Sequence, residues 1–160
     1  MSAAVICYIG IGANLGDARG QVQSAIAQLG KLPDTRLAAQ SSLFCTAPVD
    51  AGGDDYVNAV VRLQTRLSAQ ELLAALQAIE QAGGRQRSYR NAPRTLDLDL
   101  LLYGDAILTS DTLTVPHPRM TQRAFVLIPL LQIDPFIVIP GLGAAHQFVP
   151  AVADQAIRKI

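Results

Sequence analysis

Hydrophobic and polar residues change their spacing along the chain, and the spacing separates strands from helices. Alternation, or a short continuous apolar run, predicts a strand, whereas apolar residues three to four positions apart predict a helix. Strand patterns cover residues 5–12, 35–46, 56–65 and 94–103, with a shorter one at 106–108. Helical patterns cover residues 17–30, 68–84 and 123–132.

The predicted helices carry local start and stop signals. Asp17 is a suitable N-cap for the first helix, and Ser68 with Glu71 forms a capping box for the second. Gly83–Gly84 predicts the end of that second helix. Pro129 lies inside the third helical pattern, where it is expected to bend or end the helix.

The order strand–helix–strand–strand–helix–strand is that of a split βαβ unit. It predicts an α+β sandwich with a mainly antiparallel sheet, both long helices on one face and ligands on the other. We expect one domain over residues 1–160, in which the tail beyond about residue 140 has no assignable pattern.

Apolar and acidic residues alternate between residues 94 and 103, which places Asp97 and Asp99 on one face of the strand. Same-face neighbours on a strand are roughly 6.5–7 Å apart, so two carboxylates there repel each other unless a cation is near. Mg²⁺ binds carboxylate oxygens and completes its shell with water and phosphate. A solvated acidic face is the alternative, but Asp is disfavoured in strands, which favours a metal site.

Four arginines precede this acidic strand within ten positions: Arg85, Arg87, Arg90 and Arg94. An arginine-rich loop can be merely solvated, but arginine is also the side chain that binds phosphate in a bidentate manner. Acids that hold a metal beside arginines that hold phosphate indicate phosphoryl-group chemistry. The chain has no glycine-rich P-loop followed by Lys, so side chains and metal would have to hold the phosphate.

Composition limits the classes of protein that fit. In a chain of 160 residues, 50% are hydrophobic and 16% charged, which indicates a globular domain. With 13 basic and 13 acidic residues the net charge is zero, which argues against duplex nucleic acid as the main partner. The sequence predicts no membrane span, and Cys7 and Cys45 are expected to be free thiols in a cytoplasmic protein.

The segment from Arg90 to Leu101, RNAPRTLDLDLL, resembles the signature of the 6-hydroxymethyl-7,8-dihydropterin pyrophosphokinases. Further segments resemble family blocks in the same order, at residues 10–16, 41–48, 55–59, 113–117 and 123–130. The resemblance implies a ferredoxin-like two-layer sandwich. It also implies an enzyme of folate biosynthesis that transfers pyrophosphate from ATP to the hydroxymethyl group of the dihydropterin and releases AMP.

The resemblance further implies roles for individual residues. The expected catalytic residues are Arg85, Arg94, Asp97 and Asp99, and the two aspartates are expected to hold two Mg²⁺ ions. The expected pterin-binding residues are Thr46, Val49, Tyr56, Asn58, Asn91 and Phe125. The expected ATP-binding residues are Gln77, Glu80, Arg87, Thr114, His117 and Arg123. Apart from ATP and the pterin, we expect no nucleic-acid or membrane partner. We expect the protein to be a monomer.

Without the resemblance, several of these residues have simpler interpretations. His117 between two prolines indicates a rigid turn, Phe125 a core position, and Gln77 with Glu80 an exposed helix face. Asn58 favours a specific hydrogen-bonding role, because Asn is depleted in strands.

Two departures from the family pattern leave alternatives open. Some members carry an aromatic residue where this chain has Asn91, so one wall of the pterin site is missing here or Tyr89 replaces it. The arginine-rich loop is one residue shorter than in some members, so either Arg85 or Arg87 is the first catalytic arginine. The rival classes are an RNA-binding module, disfavoured by an aromatic content of only 5%, and a catalytically inactive homologue.

Overall fold

The computed structural model describes residues 3–14, 16–46, 55–84 and 96–160. Its α-helices are α1 (Ala18–Gly30), α2 (Ala69–Gly84) and α3 (Ala124–Ile133). The longer strands are β1 (Val5–Ala13), β2 (Thr35–Gln40), β4 (Tyr56–Thr65) and β5 (Asp97–Tyr103). The shorter ones are β3 (Phe44–Thr46), β6 (Leu108–Thr109), β7 (Thr114–Val115), β8 (Val138–Ile139), β9 (Gly143–Ala144) and β10 (Ile157–Lys159).

The main sheet has the strand order β10-β3-β4-β1-β5, and β2 also pairs with β4. Every pairing in it is antiparallel, which confirms the predicted sheet type. Strands β6 and β7 form a separate ladder, as do β8 and β9. Strand β1 is therefore an interior strand, with β4 on one side and β5 on the other.

One face of the sheet packs against both long helices. In β1, Cys7, Ile9 and Ile11 point into this layer, where they meet Leu29 of α1 and Leu76 of α2. All five side chains are 2% exposed or less. The prediction that α1 and α2 cover the same face is confirmed.

The opposite face is partly covered by α3, which the prediction of a two-layer sandwich did not include. Val60 of β4 and Leu101 of β5 pack there against Leu127 and Leu130 of α3. A helix that is apolar on nearly every side has to be buried, and the uncovered face of the sheet supplies the partner. Pro129 lies inside α3 without ending it, because the burial of its neighbours holds the helix in place.

The pattern at residues 35–46 predicted one strand, and the structure shows two, separated at residues 41–43. The Ser41 N–H donates to the Val60 carbonyl at 2.9 Å, and the Ser41 hydroxyl accepts from the Val60 N–H at 2.9 Å. The same hydroxyl donates to the Ser42 carbonyl at 2.7 Å. The side chain thus takes over part of the ladder, and the chain bulges before β3 resumes pairing.

Helix caps follow the prediction, whereas the tail could not be assigned in advance. Asp17 accepts from the Gly20 N–H at 3.0 Å, and Ser68 and Glu71 exchange the two hydrogen bonds of a capping box. The tail contains β8, β9 and short 3₁₀ turns, and then β10 pairs with β3. The short strand predicted at 106–108 is found one to two residues later, as β6. Among the described residues, no helix has the length and hydropathy needed to cross a bilayer.

Replacement of Ser41 by Ala tests the explanation for the break between β2 and β3. Ser41→Ala leaves the N–H of Val60, a fully buried residue, without its acceptor, so unfolding should become easier by about 1–3 kcal/mol. Urea unfolding followed by circular dichroism measures the change. Ser24→Ala removes an exposed hydroxyl from α1 and is the matched control, expected to change stability by about 0.5 kcal/mol or less. Equal effects would show that the Ser41 hydroxyl does not hold the break.

Candidate functional site

The register of β1 places three polar side chains on the sheet face opposite α1 and α2. Gly12 lies opposite Asn58 of β4 on one side and opposite Asp97 of β5 on the other, and Gly10 lies opposite Asp99. Directly opposed residues point to the same face of a sheet. Neighbouring strands are about 4.8 Å apart, so Asn58 and Asp97 are roughly 10 Å apart at their Cα atoms. On this face, Gly10 and Gly12 are the residues of β1 that lie between the amide and the acids. We call these two residues the glycine strip, because they carry no side chain.

Asn58 is buried and its amide is fixed by a neighbouring strand. Its Nδ2 donates to the Thr46 Oγ1 at 2.8 Å, and the two residues are 4% and 6% exposed. A Cβ added to Gly12 would lie 2.9 Å from the Asn58 Oδ1, closer than real contacts allow. Tyr56, half-buried, pairs with Thr46 in the β3–β4 ladder. The structure therefore brings three of the expected pterin residues together around one oriented amide.

Asp97 and Asp99 share a face, as the alternation predicted. Leu96, Leu98 and Leu100, which alternate with the aspartates, are 2–5% exposed and pack in the helix layer. Both aspartates are half-buried on the other face. Two carboxylates at this spacing fit a hard divalent cation that takes its other ligands from water and phosphate. No group of three or more His, Cys, Asp or Glu side chains that could enclose a metal occurs within the described ranges.

Glu80, near the end of α2, is hydrogen-bonded to the backbone between the two aspartates. Its Oε2 accepts from the Leu98 N–H at 2.8 Å, and its side chain is only 8% exposed. Among the described strands β5 is at the edge of the sheet, so this carboxyl satisfies an amide that no described strand pairs. Glu80 is therefore not on an exposed helix face, whereas Gln77 is exposed on α2, on the side of the sheet away from Asn58.

His117 lies at the end of the acidic strand and interacts with it. Its backbone N–H donates to the Leu101 carbonyl at 2.9 Å, and its side-chain Nδ1 accepts from the backbone N–H of Arg119 at 3.2 Å. Burial lowers the pKa of His117, the Asp99 carboxylate acts to raise it, and the guanidinium groups of Arg123 and Arg119 lower it further. The neutral imidazole is favoured, and its charged neighbours show that His117 lies among expected site residues.

Arg123 and Phe125 flank the start of α3. The Arg123 guanidinium carbon is 5.3 Å from the centre of the Phe125 ring, a cation–π contact. Phe125 is half-buried against the core that α3 forms with the sheet, here called the second core, so it is not a fully buried core residue. Thr114, half-buried, pairs with Thr109 in the β6–β7 ladder.

Five of the expected site residues lie outside the described residues: Val49, Arg85, Arg87, Asn91 and Arg94. A residue that was not predicted, Gln155, contacts the backbone on both sides of Arg123. The tail beyond about residue 140 has no assignable pattern, so nothing in the sequence singled out this residue. Gly12 permits a close approach of β1 to Asn58.

The fold and the known relatives together define the class of the protein, an enzyme of mixed α/β architecture with an antiparallel sheet. The family model for 7,8-dihydro-6-hydroxymethylpterin-pyrophosphokinase (HPPK) matches residues 8–135. The chain belongs to this family.

Curated relatives agree over almost the whole chain. The 2-amino-4-hydroxy-6-hydroxymethyldihydropteridine pyrophosphokinase of Pseudomonas aeruginosa is 46% identical over 154 residues, covering 96% of this chain and 95% of the relative. The enzyme of the same name from Haemophilus influenzae is 38% identical over 157 residues, covering 98% of both.

Solved structures of more distant proteins share the fold. Plasmodium falciparum wild-type HPPK-DHPS with pterin and p-hydroxybenzoate superposes with a TM-score of 0.73 at 13% identity. The match covers 94% of this chain and 43% of that longer one. The same wild-type protein with pteroate gives a TM-score of 0.75 at 12% identity, covering 94% of this chain and 42% of the other.

The contact from Glu80 to Leu98 can be tested by comparing two substitutions. Glu80→Ala removes the acceptor of a buried amide and should destabilise the protein by about 1–3 kcal/mol, whereas Glu80→Gln keeps a carbonyl oxygen and should cost less. Amide hydrogen exchange by NMR should then be fastest at Leu98 in the Ala variant. If exchange at Leu98 were the same in all three proteins, Glu80 would not hold the strand.

Proposed function

We propose that this protein transfers the β,γ-pyrophosphate of ATP to the hydroxymethyl group of 6-hydroxymethyl-7,8-dihydropterin, producing AMP, in folate biosynthesis. One observation carries the proposal: a fixed amide at Asn58 and a carboxylate pair at Asp97 and Asp99 face the same space across the glycine strip. Membership of the HPPK family supports the same reaction.

The pterin would lie at the Asn58 end of this face. A flat heteroaromatic ring needs a few oriented polar groups and an apolar wall. Asn58, held by Thr46, offers such a group to the edge of the ring, while Phe125 and Tyr56 offer aromatic surface. At Gly12 the ring can approach the backbone of β1 beside Asn58, because this residue carries no side chain.

ATP would lie at the Asp97 end, with its triphosphate towards the pterin. When bound, Mg²⁺ supplies charge neutralisation of the phosphates and a template that aligns them with the acceptor oxygen. Asp97 and Asp99 fit two such ions by donor type and spacing. His117, which Asp99 and Arg123 influence electrostatically, belongs to the nucleotide side together with Thr114 and Arg87. For Gln77, which lies on the helix side of the sheet, and for Glu80, which binds the Leu98 N–H, the ATP-binding role stays an expectation from the family resemblance.

In the reaction the hydroxymethyl oxygen attacks the β-phosphorus of ATP, and the bond from that phosphorus to the α,β-bridging oxygen breaks. AMP departs with the bridging oxygen, and the hydroxyl proton leaves to solvent or a base. The protein's work is to position both substrates and to stabilise charge on the transferring group. We assign the second task to Arg94 and to Arg85, with Arg87 as the alternative to Arg85.

The proposal also covers the domain organisation, the oligomeric state and the location of the protein. We infer that residues 1–160 form one ferredoxin-like domain in which α3 adds a third layer to the sandwich, and that it acts as a monomer in the cytoplasm. The two helices on one face and the antiparallel order β5-β1-β4-β2 support the ferredoxin-like assignment. Cys7 and Cys45, both free thiols, agree with a reducing compartment.

The direct test is a product assay. The protein is incubated with ATP, Mg²⁺ and 6-hydroxymethyl-7,8-dihydropterin, and nucleotides are separated by ion-exchange chromatography. AMP should form in proportion to the pterin consumed. ADP in place of AMP would mean that a single phosphate is transferred, and no pterin-dependent product would overturn the proposal.

Removal of either carboxylate charge should stop the reaction while leaving the fold intact. Asp97→Asn and Asp99→Asn should each lower kcat at least about 100-fold, because each loses an anionic ligand for the metal. Asp105→Asn, at an exposed turn just beyond β5, is the matched control and should keep the wild-type rate. Near-normal turnover in either site variant with Mg²⁺ would remove that residue from the metal site.

A methyl group on the glycine strip should disturb the pterin end selectively. Gly12→Ala places a Cβ 2.9 Å from the Asn58 Oδ1 and should weaken pterin binding at least about 10-fold, because the fixed amide must move. Gly10→Ala meets only Leu101 at 3.5 Å, an ordinary contact, and should perturb the Asn58–Thr46 pair far less. Calorimetric titration with the pterin measures both. Equal affinities in the two variants would show that Asn58 does not read the ring.

A further inference from the structure

The start of α3 lacks a local cap. Arg123 is the N-cap residue, and its side chain makes no capping hydrogen bond. Arginine is poorly suited to this position, because it offers no acceptor and places a positive charge at the positive end of the helix dipole. Ala124, the first helical residue, is 3% exposed, so its N–H needs an acceptor from the protein.

Gln155, thirty-one residues away, supplies that acceptor. Its Oε1 accepts from the Ala124 N–H at 2.8 Å, and its Nε2 donates to the Gln122 carbonyl at 2.9 Å. One carboxamide therefore binds the backbone on both sides of Arg123. We name this pair of contacts the Gln155 clamp.

The chain around Gln155 is anchored on both sides. Val152 is 3% exposed in the second core, and its carbonyl accepts from the Gln155 N–H at 3.0 Å. Two residues beyond Gln155, Ile157 begins β10 and pairs with Thr46. The exposed carboxamide thus belongs to a segment with little freedom, which lowers the entropic cost of holding its two hydrogen bonds. The same segment supports Thr46, the hydrogen-bond acceptor of Asn58.

Gln155 lies outside residues 8–135, which the family model matches, but it binds the backbone on both sides of Arg123, an expected site residue. Arg123 contacts the ring of Phe125, an expected pterin-binding residue, and its charge acts on His117, an expected ATP-binding residue. We propose that Gln155 is a positioning residue that fixes the backbone around Arg123 and thereby aims Arg123 at the nucleotide. The role assigned to Arg123 rests on the proposed function.

Because Gln155 is proposed to act through Arg123, a double-mutant cycle is the decisive experiment. Binding of a non-hydrolysable ATP analogue with Mg²⁺ is measured by calorimetry in wild type, Gln155→Ala, Arg123→Ala and the double variant. Gln155→Ala should weaken binding about 5- to 10-fold in the wild-type background, the value of one lost hydrogen-bonding arrangement, and hardly at all in the Arg123→Ala background.

Equal weakening in both backgrounds would indicate a general structural effect and overturn the proposal, as would no weakening in either. Gln147→Ala, which truncates another exposed glutamine of the tail, is the control and should bind as wild type does. Gln155→Glu keeps an acceptor for the Ala124 N–H but loses the donor to Gln122, and it should bind with intermediate affinity. Full loss of binding in this variant would contradict the capping argument.

Two further readouts separate the clamp from the reaction. Exchange of the Ala124 amide should be faster in Gln155→Ala whatever the protein catalyses, and an unchanged rate would show that the clamp is not formed. If the wild type bound the ATP analogue but made no AMP, the proposed function would fail while the double-mutant cycle would still decide the role of Gln155. Unfolding midpoints of all variants show whether the fold is retained.

Discussion

The register that β1 keeps with its two neighbours determines what the second face of the sheet can bind. Gly12 is opposite Asn58 on one side and Asp97 on the other, so both polar groups face the same space at roughly 10 Å. A shift of one residue in either pairing would turn Asn58 or the aspartates into the helix layer. The buried side chains of Ala59 and Val61 in β4 and of Leu98 in β5 oppose such a shift, because it would move them out of the helix layer.

Three polar side chains hold the backbone where regular pairing stops. Glu80 occupies the edge of β5 between the aspartates, and Gln155 binds both sides of Arg123. Gln132 of α3 accepts from the Ser42 N–H at 2.6 Å and donates to the Ser42 hydroxyl at 2.8 Å, at the break between β2 and β3. In each case a side chain from another element replaces a missing backbone partner, so irregular segments become fixed without a ladder.

Local patterns were sufficient to predict the parts of the fold that depend on nearby residues. The alternation of Leu98 with Asp97 and Asp99 defines two faces through the geometry of a strand alone, and the structure has both. The capping box at Ser68 and the cap at Asp17 were likewise predictable, because their partners lie three residues away. The HPPK resemblance, which the family comparison confirms, rested on a similarly continuous segment.

The remaining features depend on contacts between distant residues. The Ser41 hydroxyl interrupts a strand because it bonds with Val60, nineteen positions on, and the alternating pattern contains no sign of this. The covering of the second face by α3 depends on a core shared with Val60 and Leu101, not on periodicity. Gln155 acquires its contacts only when the tail returns to β3. The roles of Arg85, Arg87 and Arg94 remain expectations from the family resemblance.

Crystals grown with a non-hydrolysable ATP analogue and Mn²⁺ in place of Mg²⁺ would test the arrangement on this face most directly. An anomalous-difference map locates the manganese independently of any assumption about the site. Manganese bonded at about 2 Å to carboxylate oxygens of both Asp97 and Asp99, on the side of the sheet that carries Asn58, is the expected result. Two results would contradict this arrangement. In one, neither aspartate is a ligand of the manganese; in the other, the manganese lies on the helix side of β5.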